Sequence, residues 1–263
     1  MKSITLKFIN PQLPWQRPIY MKDGNETDEV IVPSLKSDFQ EDIIYEWVAE
    51  VERKKLHNKF PRDEALSIII YIKTSAPVLL PLVCKNVIDA LNQYAYTDDM
   101  HVVGIIAMQE HSLENTITIA IYPDTRFKGD EDIKSILGKS VIKITVFSKP
   151  VHNIIAFPKH PRQQILVNPT NIKQQDVIKA EILQQYNDNP ISNNVCISFQ
   201  IETHSRDSDL DNICLNYIAA MNKLVIKDYY SIDKLSAMLT RGRRNQATIT
   251  IKERDGPTPT VLL

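Results

Sequence analysis

CKNVIDALNQYAYTDDMHVVGIIAM at residues 84–108 and CLNYIAAMNKLVIKDYYSIDKLSAM at residues 214–238 are two copies of one sequence. They align without a gap at an offset of 130 residues, and eight of the 25 aligned positions are identical. The identical pairs are Cys84/Cys214, Asn86/Asn216, Ile88/Ile218, Ala90/Ala220, Asn92/Asn222, Asp98/Asp228, Ala107/Ala237 and Met108/Met238. A match of this length that occurs twice indicates a duplicated domain rather than a solenoid.

Strand-like apolar runs flank both copies and also open both halves of the chain. They lie at residues 4–9, 66–72 and 116–122 in the first half and at 141–147, 195–201 and 247–251 in the second. The repeat therefore predicts one domain at residues 1–125, a polar linker at 126–140 and a second domain at 141–263. Each predicted domain is large enough to bury a core.

The hydrophobic pattern predicts the same α/β fold in each half, with a strand, a loop, a helix, a strand, a second helix and a final pair of strands. The predicted helices cover residues 37–55, 82–93, 173–185 and 211–222. In each half the final two strands are predicted to pair as a hairpin, around residues 110–115 and at the turn 241–244.

Charge is distributed unevenly between the halves. Residues 1–140 carry 16 basic and 21 acidic side chains, a net charge of −5, whereas residues 141–263 carry 15 and 11, a net charge of +4. A polyanion is therefore expected to approach the second half. Three cysteines without metal-ligand spacing indicate a reducing compartment, and Cys84 and Cys214 are expected in the core. The sequence predicts neither a signal peptide nor a membrane span.

Carboxylates gather where a predicted strand of the second half meets a helix. Asp209 and Asp211 are two residues apart in what reads as an extended segment, so their side chains would point the same way, and Asp228 follows later. Oxygen ligands of this kind suit hard divalent cations such as Mg²⁺. Alternatively, Asp209 or Asp211 simply caps the helix that follows.

These residues resemble a motif of the RusA family of Holliday-junction resolvases. The shared pattern is Asp-x-Asp-Asn, an apolar residue, any residue, Lys, three residues, Asp-Ala-Leu-Asn and then Asp-Asp. The segment Pro14-Trp15-Gln16-Arg17-Pro18 is similar to the Pro/Arg-containing loop of that family. The resemblance implies a homodimeric α/β endodeoxyribonuclease that cuts four-way DNA junctions with Mg²⁺ or Mn²⁺, using a carboxylate cluster and a lysine. Here two RusA-like domains in tandem would form a pseudo-dimer within one chain, in the cytoplasm of a bacterium or a phage-infected cell.

Neither copy of the motif is complete. The first half keeps Lys85, Asp89, Asp98 and Asp99, but Leu79, Pro81 and Leu82 stand at the Asp-x-Asp-Asn positions. The second half keeps Asp209, Asp211, Asn212 and Asp228, but Leu215, Ala219 and Tyr229 replace the lysine, the helix aspartate and the second aspartate of the pair. The losses are complementary, because each group that one copy lost is retained by the other.

Two interpretations of these losses compete. In the first, the retained groups form one composite site, with Asp209, Asp211, Asp99 and Lys85 as catalytic residues. The candidate metal ligands are Asp209, Asp211, Asp228, Asp98 and Asp99. In the second, both copies decayed into a pseudo-nuclease that binds branched DNA with weak or lost cleavage. The apolar run at residues 78–82 favours the second interpretation, because it replaces a metal-binding motif.

Basic turns of the second half are candidates for contact with DNA phosphates. They contain Arg241, Arg243 and Arg244 in one turn and Lys159 and Arg162 in another. A third interpretation is a phage or mobile-element protein that uses the scaffold to bind or inhibit a host protein, or to sequester a ligand. A large exposed apolar patch around residues 78–82 would support that function.

Overall fold

An eight-stranded mixed sheet organises the protein, whose computed structural model describes residues 4–9, 19–22, 28–31, 34–123, 142–147, 169–205 and 209–254. The strands are β1 (Ile4–Ile9), β2 (Ile19–Lys22), β3 (Asp28–Ile31), β4 (Leu66–Thr74), β5 (Val102–His111), β6 (Thr116–Pro123), β7 (Ile142–Val146), β8 (Val195–Thr203), β9 (Ile232–Arg241) and β10 (Gln246–Glu253). Their order in the large sheet is β1-β6-β4-β5-β9-β8-β10-β7, while β2 and β3 form a separate antiparallel pair. The predicted α/β class is confirmed.

Four α-helices lie within the described ranges. They are α1 (Ser34–Arg53), α2 (Leu80–Leu91), α3 (Pro169–Leu183) and α4 (Leu210–Met221). All four correspond to predicted helices. The pair α2 and α4 belongs to the repeated sequence, and the two helices contact each other.

The final strands of each half do not form the predicted hairpins. Strand β4 lies between β5 and β6, running parallel to β5 and antiparallel to β6, and β8 lies between β9 and β10 in the same way. Helices α2 and α4 supply the crossovers that parallel pairing needs. Strand β4 suits this inner place because six of its nine residues are buried, among them Leu66, Ile68, Ile70 and Ile72.

The two halves of the chain join through one antiparallel strand pair at the centre of the sheet. Strands β5 and β9 pair from Gly104–Met238 to Met108–Lys234. Ile106 pairs with Ser236, and these two residues also occupy the same position in the two copies of the repeat, 130 residues apart. Consequently the four strands of each half occur in the same order outward from this pair, and equivalent parts of the two halves lie on opposite sides of it.

The core confirms the predicted burial of two cysteines. Cys84 and Cys214 are buried and free, and Trp47 packs edge-on against Phe60. The apolar run at residues 78–82 is also buried, with Leu80 fully enclosed. It therefore provides no exposed apolar patch, and this removes the feature that would have supported an interaction protein.

Some predicted features lie outside the described residues. They are the Pro/Arg-containing loop at 14–18, the linker at 126–140, and the basic turn with Lys159 and Arg162. Among the parts of the chain that are described, no helix combines the length and apolar character needed to cross a membrane.

Candidate metal centre

Short 3₁₀ helices position one side of the candidate site. Asp98 precedes the 3₁₀ helix Asp99–His101, which leads directly into β5, and its carboxylate accepts a hydrogen bond from Met100 N at 2.9 Å. The equivalent Asp228 precedes the 3₁₀ helix Tyr229–Ser231 before β9 and accepts from Tyr230 N in the same way. Each aspartate therefore caps the 3₁₀ helix that precedes a central strand. Asp99 lies at the end of β5 that adjoins α4.

Helix α4 positions the other side of the site. Asp209 occupies the N-cap position of this helix and is only 6% exposed. Its carboxylate makes no capping hydrogen bond to the helix backbone; instead Asn212 Nδ2 donates to Asp209 Oδ2 at 3.0 Å. The side chain of Asp209 therefore does not act as a helix cap, which was the alternative interpretation of this residue.

Three carboxylates from the two halves of the chain converge. Carboxylate oxygens of Asp98, Asp99 and Asp209 lie within 4.8 Å of one another. Asp209 is buried, whereas Asp98 and Asp99 are half-buried and remain open to solvent on one side. Three oxygen donors at this separation, with an open approach, fit a hard divalent cation such as Mg²⁺ or Mn²⁺.

A buried ion pair adjoins the three carboxylates. Lys85 Nζ on α2 lies 3.0 Å from Asp211 Oδ2 on α4 and 2.5 Å from Asp89 Oδ1 one helical turn away. The side chain of Asp211 is 3% exposed and that of Lys85 is 13% exposed. The contact links the helices of the repeated sequence, so the lysine that one half retained meets the aspartate that the other half retained.

The electrostatics of the site are those of crowded, poorly solvated carboxylates. Burial, together with the negative charges of Asp209 and Asp211, raises the pKa of Asp99 from 3.8 to about 7. Burial also raises the pKa of Asp211, with Lys85 acting in the opposite direction. Burial lowers the pKa of the Lys85 ammonium, but the carboxylates of Asp211 and Asp89 outweigh it and leave the pKa raised, so the lysine stays charged. A bound divalent cation would relieve this repulsion.

Two details predicted for the site are wrong. Asp211 does not lie in an extended segment beside Asp209, because α4 already begins at Leu210 and Asp211 is in its first turn. Asp228 does not join the cluster, because it belongs to the equivalent position on the other half, where its 3₁₀ helix contacts α2. Of the five candidate metal ligands, the structure brings Asp98, Asp99 and Asp209 together and places Asp211 beside Lys85.

A basic depression lies next to the cluster. Its lining includes the ends of β8 and β9 and the 3₁₀ helix that follows Asp98: Met100, His101, Thr203, His204, Arg241, Gly242 and Arg243. The guanidinium of Arg241 donates to Ser205 O, which precedes the segment leading to Asp209. Arg244 is exposed but is not part of this lining, and its backbone N–H donates to Glu202 Oε1.

Two histidines near the site were missed by sequence reasoning. Neither His101 nor His204 is among the predicted site residues. Both line the same depression as Arg241. The available signal was position, because His204 follows the strand that leads to Asp209 and His101 comes two residues after Asp99.

Compared with known proteins, the chain matches no protein-family model, and it has no significant match among curated proteins. The resemblance to the RusA family therefore rests on the residues quoted above, and what it implies remains a prediction.

Proposed function

We propose that the protein is a RusA-like endonuclease that uses a divalent cation to cut branched DNA at one composite site. In this proposal the chain is a tandem pseudo-dimer, and the first half supplies Lys85, Asp98 and Asp99 while the second supplies Asp209 and Asp211. The observation that carries the proposal is the convergence of these groups. Carboxylates of both halves lie within 4.8 Å of one another, and Lys85 contacts Asp211.

This convergence favours the composite interpretation over decay. If both copies had lost function independently, the surviving groups would have no reason to form one complete set in one place. Apart from Asp228, the groups that survive instead belong to the same side of the central strand pair, and the substitutions to Leu, Pro, Ala and Tyr belong to the other side. The sequence alone favoured decay, because the apolar run at residues 78–82 replaces a metal-binding motif.

The chain's own residues have distinct roles in the proposed reaction. Asp98, Asp99 and Asp209 would hold the cation, which would supply Lewis-acid stabilisation of the phosphate and lower the pKa of a bound water. Asn212 donates a hydrogen bond to Asp209 Oδ2 and thereby orients it. Lys85 is held in place by Asp89 and Asp211, where its positive charge would stabilise the negative charge that develops on the phosphate.

The basic depression supports a nucleic-acid substrate. Arg241 and Arg243 line it beside the carboxylates, and they lie on the half of the chain that carries the net charge of +4. Arginines in such a position suit the phosphates of a strand that enters the site. Branched rather than linear DNA is proposed because of the RusA-like motif.

The test is incubation of the purified protein with a labelled four-way DNA junction and a matched linear duplex, in Mg²⁺, in Mn²⁺ and in EDTA. We expect metal-dependent cleavage of the junction and not of the duplex. Asp99→Asn and Asp209→Asn should each abolish cleavage, although they lie in different halves of the chain. Loss of activity in one variant alone would contradict a composite site.

Asp228→Asn provides a matched control for this experiment. Asp228 is the counterpart of Asp98 and caps an equivalent 3₁₀ helix, but it lies away from the three carboxylates. Asparagine keeps the capping oxygen, so this variant should fold and cut normally. Binding of the junction without cleavage would indicate a pseudo-nuclease, and absence of binding at low salt would refute the DNA function and favour a protein partner.

A further inference from the structure

We infer that the protein makes a single incision in each branched DNA it binds, and therefore nicks its substrate instead of making the paired cuts that resolve a junction. This inference rests on the proposed function and extends it. A symmetric pair of cuts needs two sites related by symmetry. The structure retains the symmetry of the backbone but replaces most of the ligands that a second site would need.

The backbone around the two positions is equivalent. Helices α2 and α4 are each 12 residues long and start 130 residues apart, and the 3₁₀ helices Asp99–His101 and Tyr229–Ser231 have the same offset. Gln93 and Lys223, which follow the two helices at the same offset, both adopt positive φ, at 67° and 63°. A difference in function between the two positions must therefore come from their side chains.

Apolar side chains occupy the second position. Leu79 and Leu82 stand at the positions of Asp209 and Asn212 and are 9% and 1% exposed, and Leu215, the counterpart of Lys85, is 1% exposed. The second aspartate of the pair is replaced by Tyr229, and burial raises the pKa of this phenol to about 12, so it is neutral at physiological pH. These groups offer no charged ligand to a cation.

A buried glutamine also fixes the segment that precedes α2. Gln109 on β5 is 7% exposed; its Oε1 accepts from Val78 N at 3.0 Å, and its Nε2 donates to Val78 O at 3.3 Å and to Ile232 O at 2.8 Å. Leu239 is its counterpart on the active side. The glutamine therefore anchors the apolar run to the start of β9.

One carboxylate of the metal-binding pattern survives there, and it lacks its partners. Asp228 accepts hydrogen bonds from Tyr230 N and Ser231 N, at 2.9 and 3.0 Å. In the described part of the chain, the one group of three His, Cys, Asp or Glu side chains close enough to share a cation is Asp98, Asp99 and Asp209. One chain thus has one place for hydrolysis.

The proposed reaction at this site is the hydrolysis of one phosphodiester bond in a single displacement. The oxygen of a water molecule forms a bond to phosphorus, and one bridging P–O bond of the same phosphodiester breaks. The water gives up one proton, the leaving oxygen gains one and becomes a hydroxyl, and the phosphate remains as a monoester. The opposing strand of the junction would meet the second position, where Leu79, Leu82 and Leu215 replace the ligands, and would stay intact.

A supercoiled plasmid that extrudes a cruciform distinguishes one cut from two. Paired incisions within one complex give linear DNA. A single incision releases the supercoiling, the cruciform is reabsorbed, and the nicked circle is no longer a branched substrate. The reaction is run with Mg²⁺ and with plasmid in excess over protein, so that each plasmid meets at most one chain.

We expect nicked circles as the cleavage product, with loss of this product in Asp98→Asn and its retention in the matched variant Asp228→Asn. Linear DNA as the main product would overturn the inference while leaving the proposed endonuclease intact. Equal loss of nicking in Asp98→Asn and Asp228→Asn would also overturn it, because it would show that both positions act. Absence of any cleavage would overturn the proposed function and the inference together.

Discussion

Replacing Asp99 by asparagine should make the metal-free protein more stable at alkaline pH while abolishing the proposed metal-dependent cleavage. In the folded protein, burial and the charges of Asp209 and Asp211 raise the pKa of Asp99 from 3.8 to about 7. The folded state therefore binds a proton more tightly than the unfolded state. The free energy of unfolding is highest below the unfolded pKa and falls as the pH rises towards about 7, above which this group causes no further loss.

The size of the effect follows from the shift. Between pH 5 and pH 7 the loss is about 1.36 kcal/mol per pH unit, or at most about 2.7 kcal/mol. Asp99 is half-buried, so solvent screening reduces this figure by about half, to about 1.4 kcal/mol. Asparagine has no proton to lose, so Asp99→Asn should gain about this much relative to wild type between pH 5 and pH 8.

The assay is urea unfolding of wild type and Asp99→Asn at pH 5 and pH 8, in EDTA and in Mg²⁺. In EDTA the difference between the two proteins should grow in favour of the variant as the pH rises. Mg²⁺ at about 100 times its dissociation constant should stabilise wild type by about 2.7 kcal/mol at pH 8 and the variant far less. Asp228→Asn should keep the full stabilisation by Mg²⁺. Parallel stability curves for wild type and Asp99→Asn in EDTA would refute the reasoning, because they would show that Asp99 is not held protonated by its surroundings.

Three further predictions concern other contacts. Lys85→Met should lower the free energy of unfolding by about 3–5 kcal/mol, because it leaves the buried carboxylate of Asp211 without a compensating charge. In a double-mutant cycle, addition of Asp211→Asn should recover most of this loss. Purely additive effects of the two substitutions would contradict the ion pair. Arg243→Ala should weaken junction binding and reduce the slope of log K against log salt by about one, as measured by fluorescence anisotropy, whereas the exposed Lys143→Ala on strand β7 should do neither. Gln109→Leu should cost about 1–3 kcal/mol in chemical denaturation because Val78 N–H loses its buried partner, and nicking activity should persist.

Local elements of the fold could be predicted from the sequence, but strand pairing could not. The repeat and the hydrophobic periodicity located all four described helices to within a few residues. The hairpin predictions failed because adjacent apolar runs with a short turn suggest local pairing, whereas β4 and β8 insert between the strands of each expected hairpin. A parallel strand and its crossover helix bring together residues that are distant in sequence, and periodicity carries no information on that choice.

The members of the site were predictable, but their arrangement was not. Asp98, Asp99, Asp209, Asp211 and Lys85 were all singled out, because their residue types matched a motif. Their proximity depends on the antiparallel pairing of β5 with β9 and on the contact between α2 and α4. The same pairing explains why Asp228 lies elsewhere. Equivalent residues lie on opposite sides of the central strand pair, so Asp98 lies at the site and its counterpart Asp228 lies on the other side.

The energetic cost of the site argues that it has been retained for function. A buried ion pair such as Lys85–Asp211 is often no more stabilising than apolar side chains of similar volume, and crowded carboxylates repel one another. The chain itself contains an apolar alternative to this ion pair. Pro81 is the counterpart of Asp211 and Leu215 is the counterpart of Lys85, and Leu215 is buried. Packing alone would favour that alternative on both sides of the central strands. The proposed binding of a cation and a phosphate would explain the charged set on one side, because it would offset the cost that the metal-free protein bears.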